Sequence, residues 1–589
     1  MIHFFPSGEY INPKEIPARR GFSVSYLGKT LLSKIDPVAQ AERLAAGIDL
    51  KESALFLCPS PLYGYGLPIL LEKLPANSAI LCVEADEKLF ELSQKAIGPD
   101  AELLGALPII ENKEERKTKA IALVQAKTAE KICAFVRDVW GERVFRRVEV
   151  IRLTGGWQLY PELYDNIETT LRREIAVEWS NAMTLIRLGR LYSKNLISNL
   201  ACLGSADTDE PDWSSAAVLA LGAGLSLDPI LSELSGLCGG KIPEPEKRPF
   251  KIICVDTCLP CLADWGVRPD LVVFLESQHW NLRCLIGLQG REIDAAIDLS
   301  ALPASTRVLK GKRYFFATVW TKLAFLSRLK ESGLLPETFP PMGSVGLNTV
   351  ALALKISAGP VITGGIDFAF SMDASHARST PRRCDFESRQ TRFRSLIDTD
   401  NGLRDGTCTA VSKTGEQTRT NPAMRKYRDL FEQEFGGNPR LFDISGPGLP
   451  LGVKTVSAKE AFAILNSSGG LQAAKKSAPV GTKKVQACES KSKCESKSKI
   501  AAFAEREADT LEEIKKMLSG AVAAEPDKLE ALLYTADYLW AHFPECAGAG
   551  GKHPPVTDLS FLKRIRAEID PFLKLWEITL KELEELLKS

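Results

Sequence analysis

The chain has 589 residues, 45% of them apolar and 25% charged, and its formal charges nearly cancel at +1. That length exceeds what one hydrophobic core organises, so three or four folded units are expected. The balanced charge excludes the basic footprint of a nucleic-acid binder or a membrane-surface protein. The opening residues MIHFFPSGEYINPKEIPARRG lack the basic start, apolar run and cleavage site of a secretory signal. No later stretch reaches about eighteen uncharged apolar residues, so the expectation is a cytoplasmic protein with no spanning helix. The 14 cysteines are scattered beside apolar neighbours, as in KIICVD and AILCVEAD, which suits small buried hydrophobes in a reducing compartment. The closest group, Cys254, Cys258 and Cys261, does not form the two C-x-x-C pairs of a zinc site.

In chain order, residues 1–156 read as an amino-terminal α/β domain. Within it, SALFLCPSPLYGYGLPILLEKLPANSAILCVEAD gives a strand at 54–58, a glycine turn at 63–66, a helix at 67–74 and a strand at 79–83 that ends at Glu84 and Asp86. A dinucleotide-type site would use such glycines for phosphate and such an acid for ribose, but the full G-x-G-x-x-G spacing is absent and a purely structural turn reads the same way. Residues 157–215 form a helical connector, 216–466 a central doubly wound α/β domain, and 467–500 a Lys/Ser-rich linker with almost nothing to bury. Residues 501–589 repeat apolar positions at three and four, the pattern of amphipathic helices in a small self-contained bundle.

The central domain carries three glycine-marked units. In AAVLALGAGLSLDPILSEL, a strand at 218–221 runs into Gly222-Ala223-Gly224, and Asp228-Pro229 has the cap-then-proline signature of a helix start. Glycines at 222 and 224 leave room for a phosphate that free N–H groups and the helix end favour. Gly224→Val is therefore expected to abolish ligand binding and spare the fold. In PFKIICVDTCLPCLADWGVRPDLVVFLES, strands at 250–255 and 271–275 present Asp256, Thr257, Glu276 and Gln278 at their carboxyl ends, where ligands of open α/β sheets lie. Helix capping would explain Asp256 or Thr257 equally well. In PPMGSVGLNTVALALKISAGPVITGGIDFAF, Gly343, Ser344 and Gly346 open a helix, and a strand at 360–363 leads to Gly364, Gly365 and Asp367.

In these residues the chain resembles the motility accessory factor (Maf) proteins with their MptE-like domain. The matching stretches are LLSKIDPVAQAERLA at 31–45, then GAGLSLD, VDTCLPCLADWGVRPDLVVFLESQ, MGSVGLNTVALAL, GGIDFAF and SHA. The resemblance implies a Rossmann-like central domain similar to bacterial sialyltransferases. It also implies a CMP-activated nonulosonic sugar as donor, and Ser or Thr of flagellin or another protein as acceptor. By that likeness Gly222, Gly224 and Ser226 cradle the nucleotide phosphate, while Gly343 to Gly346 and Gly365 to Asp367 line the cytidine or sugar. The chain departs from the pattern at Leu225, where the family has proline, and at Glu276-Ser277, where it has an aspartate-proline pair. The catalytic histidine that sialyltransferases place before a helix like the one beginning near Asn421 is also missing from TGEQTRTNPAMRKYRDLF.

Among only five histidines, His376 is the substitute candidate for the base, with Asp367 beside it; a loop histidine bonded to backbone reads the same. Arg378, Arg382, Arg383, Arg419 and Arg425 could pair with phosphate or a sugar carboxylate, or form a solvated charged loop. No D-x-D pair sits at a suitable strand end, so transfer from a CMP-sugar to a protein hydroxyl is expected without an obligatory metal cofactor, and neither nucleic acid nor membrane is expected as a partner. Two alternatives stand beside it. One is a 6-hydroxymethylpterin pyrophosphokinase using ATP and magnesium held by Asp256, Glu276 and Asp367. The other is a catalytically silent binding or assembly factor.

Overall fold

The computed structural model describes residues 12–97, 120–125, 127–141, 144–204, 206, 211, 213–319, 323–371, 374–393, 395, 406–467, 482–520, 525–548 and 552–588. The chain forms two compact units, Met1–Leu188 with Trp540–Pro554 and Gly189–Leu539 with Pro555–Ser589.

In the first unit, β1 (Lys14–Pro17), β2 (Phe22–Tyr26) and β3 (Lys29–Thr30) form an antiparallel sheet. A four-stranded sheet contains β4 (Ala54–Pro59), β5 (Ala79–Glu84), β6 (Ile121–Gln125) and β7 (Arg147–Val150) in the order β6-β5-β4-β7, with every pair parallel. β4 and β5 are buried at every position, as strands covered on both faces must be. Helices α1 (Pro37–Ala46), α2 (Leu67–Glu72), α3 (Glu87–Ile97) and α4 (Ala129–Trp140) connect them. The turn at 63–66 is structural. Gly66 has φ +88°, and a Cβ there would meet the Ala41 carbonyl of α1 at 2.8 Å, a place where only glycine fits.

Both acids at the end of β5, Glu84 within it and Asp86 just past it, are engaged by the fold. Asp86 Oδ1 accepts from the N–H groups of Lys88 and Leu89 at 2.9 and 3.2 Å, and Oδ2 from the Tyr26 and Tyr160 hydroxyls at 3.1 and 2.9 Å. Glu84 is buried against the Tyr164 hydroxyl at 3.3 Å, and burial pushes its carboxyl up to about 7.

The helical connector is α5 (Pro161–Leu203). The second unit is built on nine strands: β8 (Val218–Leu221), β9 (Lys251–Val255), β10 (Leu271–Phe274), β11 (Asp294–Asp298), β12 (Arg313–Thr318), β13 (Thr338–Phe339), β14 (Val361–Gly364), β17 (Leu441–Ile444) and β18 (Lys454–Val456). Their order is β13-β12-β11-β10-β9-β8-β14-β17-β18, all parallel, which is the doubly wound class expected. The strands alternate between two cores. Leu219, Ile252 and Val272 pack with α6 (Leu227–Leu237), α7 (Leu259–Asp264) and α12 (Ala458–Ser467). Val218, Ile253 and Val273 pack with α9 (Val345–Ile356) and α11 (Pro422–Phe435). Strand order reverses between β8 and β14, the place where such sheets open a ligand crevice. A small antiparallel hairpin of β15 (Cys408–Val411) and β16 (Gln417–Thr420) precedes α11.

Two expectations change here. The carboxy-terminal helices are not a self-contained bundle. α13 (Thr482–Leu518) and α15 (Leu559–Lys588) pack along each other, and together with α14 (Pro526–Thr535) they also close on α8 (Ala324–Glu331) of the second unit. Phe325 meets Phe503, Tyr538 and Trp576 with ring centroids 6.0, 4.8 and 6.2 Å apart. Arg328 donates to both oxygens of Glu507 at 2.8 Å, and Asp537 accepts from the N–H groups of Ala324 and Phe325. The linker also reads differently from Thr482 on, because α13 begins there; its Lys, Ser, Glu and Ala residues contain no Gly or Pro to interrupt a helix. Residues 468–481 lie outside the described residues. No described helix is long and apolar enough to cross a membrane.

Candidate functional site at the strand-order reversal

The turn after β8 and the turn after β14 are fastened to each other by backbone. Gly222 N–H donates to Gly364 O at 2.8 Å and Gly224 N–H to Gly365 O at 2.7 Å. A Cβ on Gly224 would lie 2.7 Å from Gly365 O and closer still to the Asp367 carboxylate, and one on Gly222 would lie 2.9 Å from Ile366 Cγ1. Gly365 needs glycine as well, with φ +71°. These glycines therefore serve the close approach of two chain segments, not a space left for phosphate. The expectation that Gly224→Val spares the fold is overturned by that contact.

The anion at the start of α6 belongs to the protein. Asp367 is buried, with Oδ2 accepting from Ser226 N–H at 2.7 Å and Oδ1 from the Ser226 hydroxyl at 2.6 Å. Ser226 Oγ accepts in turn from Gly365 N–H at 3.1 Å. Charge-assisted bonds of this kind contribute about 1.5–3 kcal/mol each, so Asp367 is a clamp and its carboxylate is not placed for proton transfer. α6 begins at Leu227 after Ser226, and Asp228 is not its cap. Asp228 instead accepts from Trp265 Nε1 at 3.0 Å and from Arg378 N–H at 2.8 Å.

The second glycine-marked helix start meets the same place from the other side. Ser344 caps α9 by accepting from Gly346 N–H at 3.3 Å, and a Cβ on Gly346 would lie 3.8 Å from Ile366 Cδ1. Gly343, at φ +67°, lies under the Tyr427 ring. In the second turn of α9, Asn348 is 2% exposed, and neither its Oδ1 nor its Nδ2 has a hydrogen-bond partner among the described residues. Buried amides are ordinarily satisfied.

Next along the sheet edge, Asp256 is also 2% exposed. Its Oδ1 accepts from Thr257 N–H at 2.6 Å and the Thr257 hydroxyl at 3.0 Å. The Asn281 amide helps hold its charged form, yet Asp256 Oδ2 and Asn281 Nδ2 are both left without a well-formed hydrogen bond among the described residues. Burial outweighs these partners and pushes the carboxyl up to about 6. Glu276, beyond β10, is exposed and accepts from Gln278 N–H at 2.9 Å. Sequence reasoning missed Tyr192 of α5. Its hydroxyl feels Glu276, Asp298 and Tyr427, and burial pushes it up to about 12.

His376 lies in a loop drawn over the first turn, where Ala377 N–H donates to Ala223 O at 3.0 Å. Its Nδ1 is 2.8 Å from Ser375 Oγ. Burial, with Arg382 nearby, lowers the imidazole to about 4, so at neutral pH it is uncharged and a weaker base than a solvated histidine. Of the basic candidates, Arg378 pairs with Asp228 at 3.4 Å, Arg383 with Glu387 at 2.6 Å, and Arg425 donates to Thr409 O at 3.1 Å. Arg283 on the 3-10 turn His279–Leu285 holds Asp385 of α10 (Pro381–Ser388), with Nη1 at 2.6 Å.

Comparison with known proteins agrees with this architecture. Residues 209–373 match the family model described as 6-hydroxymethylpterin diphosphokinase MptE-like. A Treponema pallidum (strain Nichols) protein, described only as an uncharacterized protein, is 29% identical over 581 residues, which is 96% of this chain and 95% of that one. The solved structure of a Maf glycosyltransferase from Magnetospirillum magneticum AMB-1 superposes with TM-score 0.51 at 14% identity, over 98% of this chain and 91% of that one. Residues 209–373 thus carry an MptE-like domain, and the chain as a whole shares the fold of that solved structure.

Proposed function

We propose that the second unit is a glycosyltransferase that takes an acidic, nonulosonic-type sugar from a CMP-activated donor and places it on a protein hydroxyl, flagellin being one acceptor class. The observation that carries this reading is the meeting of two glycine-marked helix starts on either side of Ile366, at the reversal of strand order. With Asp367 already occupying the start of α6, the donor phosphate is assigned to the start of α9, at Ser344 and Gly346, where N–H groups and the helix dipole favour an anion. Asn348 and Asp256 supply buried hydrogen-bonding capacity for the nucleoside and sugar. Holding donor and acceptor together and stabilising the departing phosphate is most of what such a transfer requires. The neutral imidazole of His376, on the loop bonded back to Ala223, is the base candidate for the acceptor proton.

The test is calorimetry of the full chain with CMP and ATP, followed by transfer from a CMP-sugar to a Ser/Thr peptide in the presence and absence of EDTA. CMP binding with EDTA-resistant transfer is expected, in a cytoplasmic setting without membrane or nucleic acid. The MptE-like match over residues 209–373 favours a second reading, pyrophosphate transfer from ATP with magnesium on Asp256 and Glu276. Asp367, engaged by Ser226, is withdrawn from that ligand set. ATP binding lost on chelation would select it, and no binding of either nucleotide would leave a silent assembly factor.

A further inference from the structure

Lys413 sits in the turn between β15 and β16, where the sequence SKTG suggests a solvated lysine. Its side chain is instead wholly buried, at 0% exposure. Nζ lies 2.7 Å from Asp443 Oδ2 at the end of β17, close in distance but poorly aligned as a hydrogen bond, and 4.0 Å from Asp367 Oδ1. Asp443 also accepts from the Thr363 hydroxyl of β14 at 2.8 Å. The lysine's own N–H is tied to Gly448 O at 2.8 Å, and Gly448 is pressed so closely on Asp367 that a Cβ would lie 2.7 Å from the Asp367 Cα. One ammonium thus sits between two buried carboxylates at the carboxyl ends of adjacent strands. Burial raises the Asp443 carboxyl and Lys413 draws it back down.

A buried ion cluster contributes little net stability compared with apolar residues of the same shape, whereas removing one partner leaves an uncompensated charge. What this cluster does supply is geometry. Asp367 clamps Ser226 and with it the Gly222–Gly224 turn. The chain leaving Asp367 becomes the loop that carries His376 and bonds back to Ala223.

We propose that Lys413 is the positioning residue of the strand-order reversal: by gathering Asp443 and Asp367 around one ammonium, it holds the Gly222–Ser226 turn and the His376 loop in the form that receives the nucleotide-sugar. The ligand in this statement rests on the transferase reading; the geometry does not.

The test compares the full-length wild type with Lys413→Met and with Lys413→Met/Asp443→Asn. CMP affinity is measured by calorimetry well below each melting temperature, and amide exchange is followed over residues 220–230 and 365–380 without ligand. Removing Lys413 alone should weaken CMP at least about tenfold and speed exchange in those two segments by a similar factor. The double variant, relieved of its unpaired Asp443 charge, should regain the wild-type melting temperature but neither the affinity nor the local protection, because Asp367 still lacks its cation. A purely stabilising lysine would let all three recover. If the wild type binds CMP, wild-type affinity in the double variant overturns the proposal. If the wild type binds none, the transferase reading fails by itself and exchange decides: faster local exchange in the double variant upholds the positioning role, and unchanged exchange overturns it. Should Lys413→Met fail to fold, the double variant alone supplies both measurements.

Discussion

The two parallel sheets of this chain pose the same problem and solve it differently. Each has a glycine turn after one strand and an acid after the next: Gly64, Gly66 and Asp86 in the first unit, Gly222, Gly224 and Asp256 in the second. In the first unit both Asp86 oxygens are satisfied by two backbone N–H groups and two tyrosine hydroxyls. In the second, Asp256 Oδ2 and both amide atoms of Asn348 are buried without well-formed partners among the described residues. The lesson is that a glycine turn and a strand-end acid identify a fold, and that the two sheets differ in whether the fold itself satisfies both oxygens of that acid.

Four substitutions would break or sharpen that contrast. The largest effect is expected from Gly224→Val, whose side chain would drive into Gly365 O and Asp367. It should cost more than about 3 kcal/mol, read as a sharp loss of soluble yield or a large fall in melting temperature; a well-folded variant would contradict the packing described. Asn348→Leu comes next. Because its amide atoms have no partner among the described residues, the change should leave melting within a few degrees of wild type while weakening CMP at least about tenfold. Undiminished affinity would remove Asn348 from the site. Asp86→Asn should do the reverse, destabilising by about 1–3 kcal/mol through its disrupted hydrogen bonds and leaving CMP affinity unchanged in the same titration.

The smallest effect concerns protons. The Glu84 carboxyl is raised to about 7 and the Asp256 carboxyl to about 6, so the folded chain holds protons that the unfolded chain has released. Stability contributed by the protonated forms is present below the ordinary carboxylate range and is lost as pH rises through about 6 to 7. Melting temperature should therefore fall by a few degrees between pH 5 and pH 8, and Glu84→Gln should flatten that slope when the two proteins are melted across the same buffers.

Much of the second unit was legible in the sequence, because strands covered on both faces are short unbroken apolar runs. Val218–Leu221 is the strand expected at 218–221, and β9, β10 and β14 differ from their expected limits by a residue. The helix starts were harder. Asp228-Pro229 has a good cap pattern, yet a tryptophan and an arginine distant in sequence claim that carboxylate. The carboxy-terminal helices showed their periodicity but not what it faces, since Phe503 and Trp576 are matched by Phe325 far earlier in the chain. At the site, the two glycine motifs and Asp256 could be found, but what fills the space beside Gly224 could not. One signal went unused: Asp443 interrupts the apolar run LFDI, and an acid inside a buried strand calls for a cation, here Lys413.

The reversal of strand order also constrains how the molecule is made. Val218 pairs with Val361, so during synthesis one edge of β8 must wait, unpaired, until the ribosome has released the chain through β14. Ser226 likewise waits for Asp367, and Asp367 for Lys413. Loop closure over such separations is slow, and an open apolar strand edge is the surface through which partly made chains associate. The region that would bind the ligand is thus among the last parts of the second sheet to close, and the nascent chain is most vulnerable there.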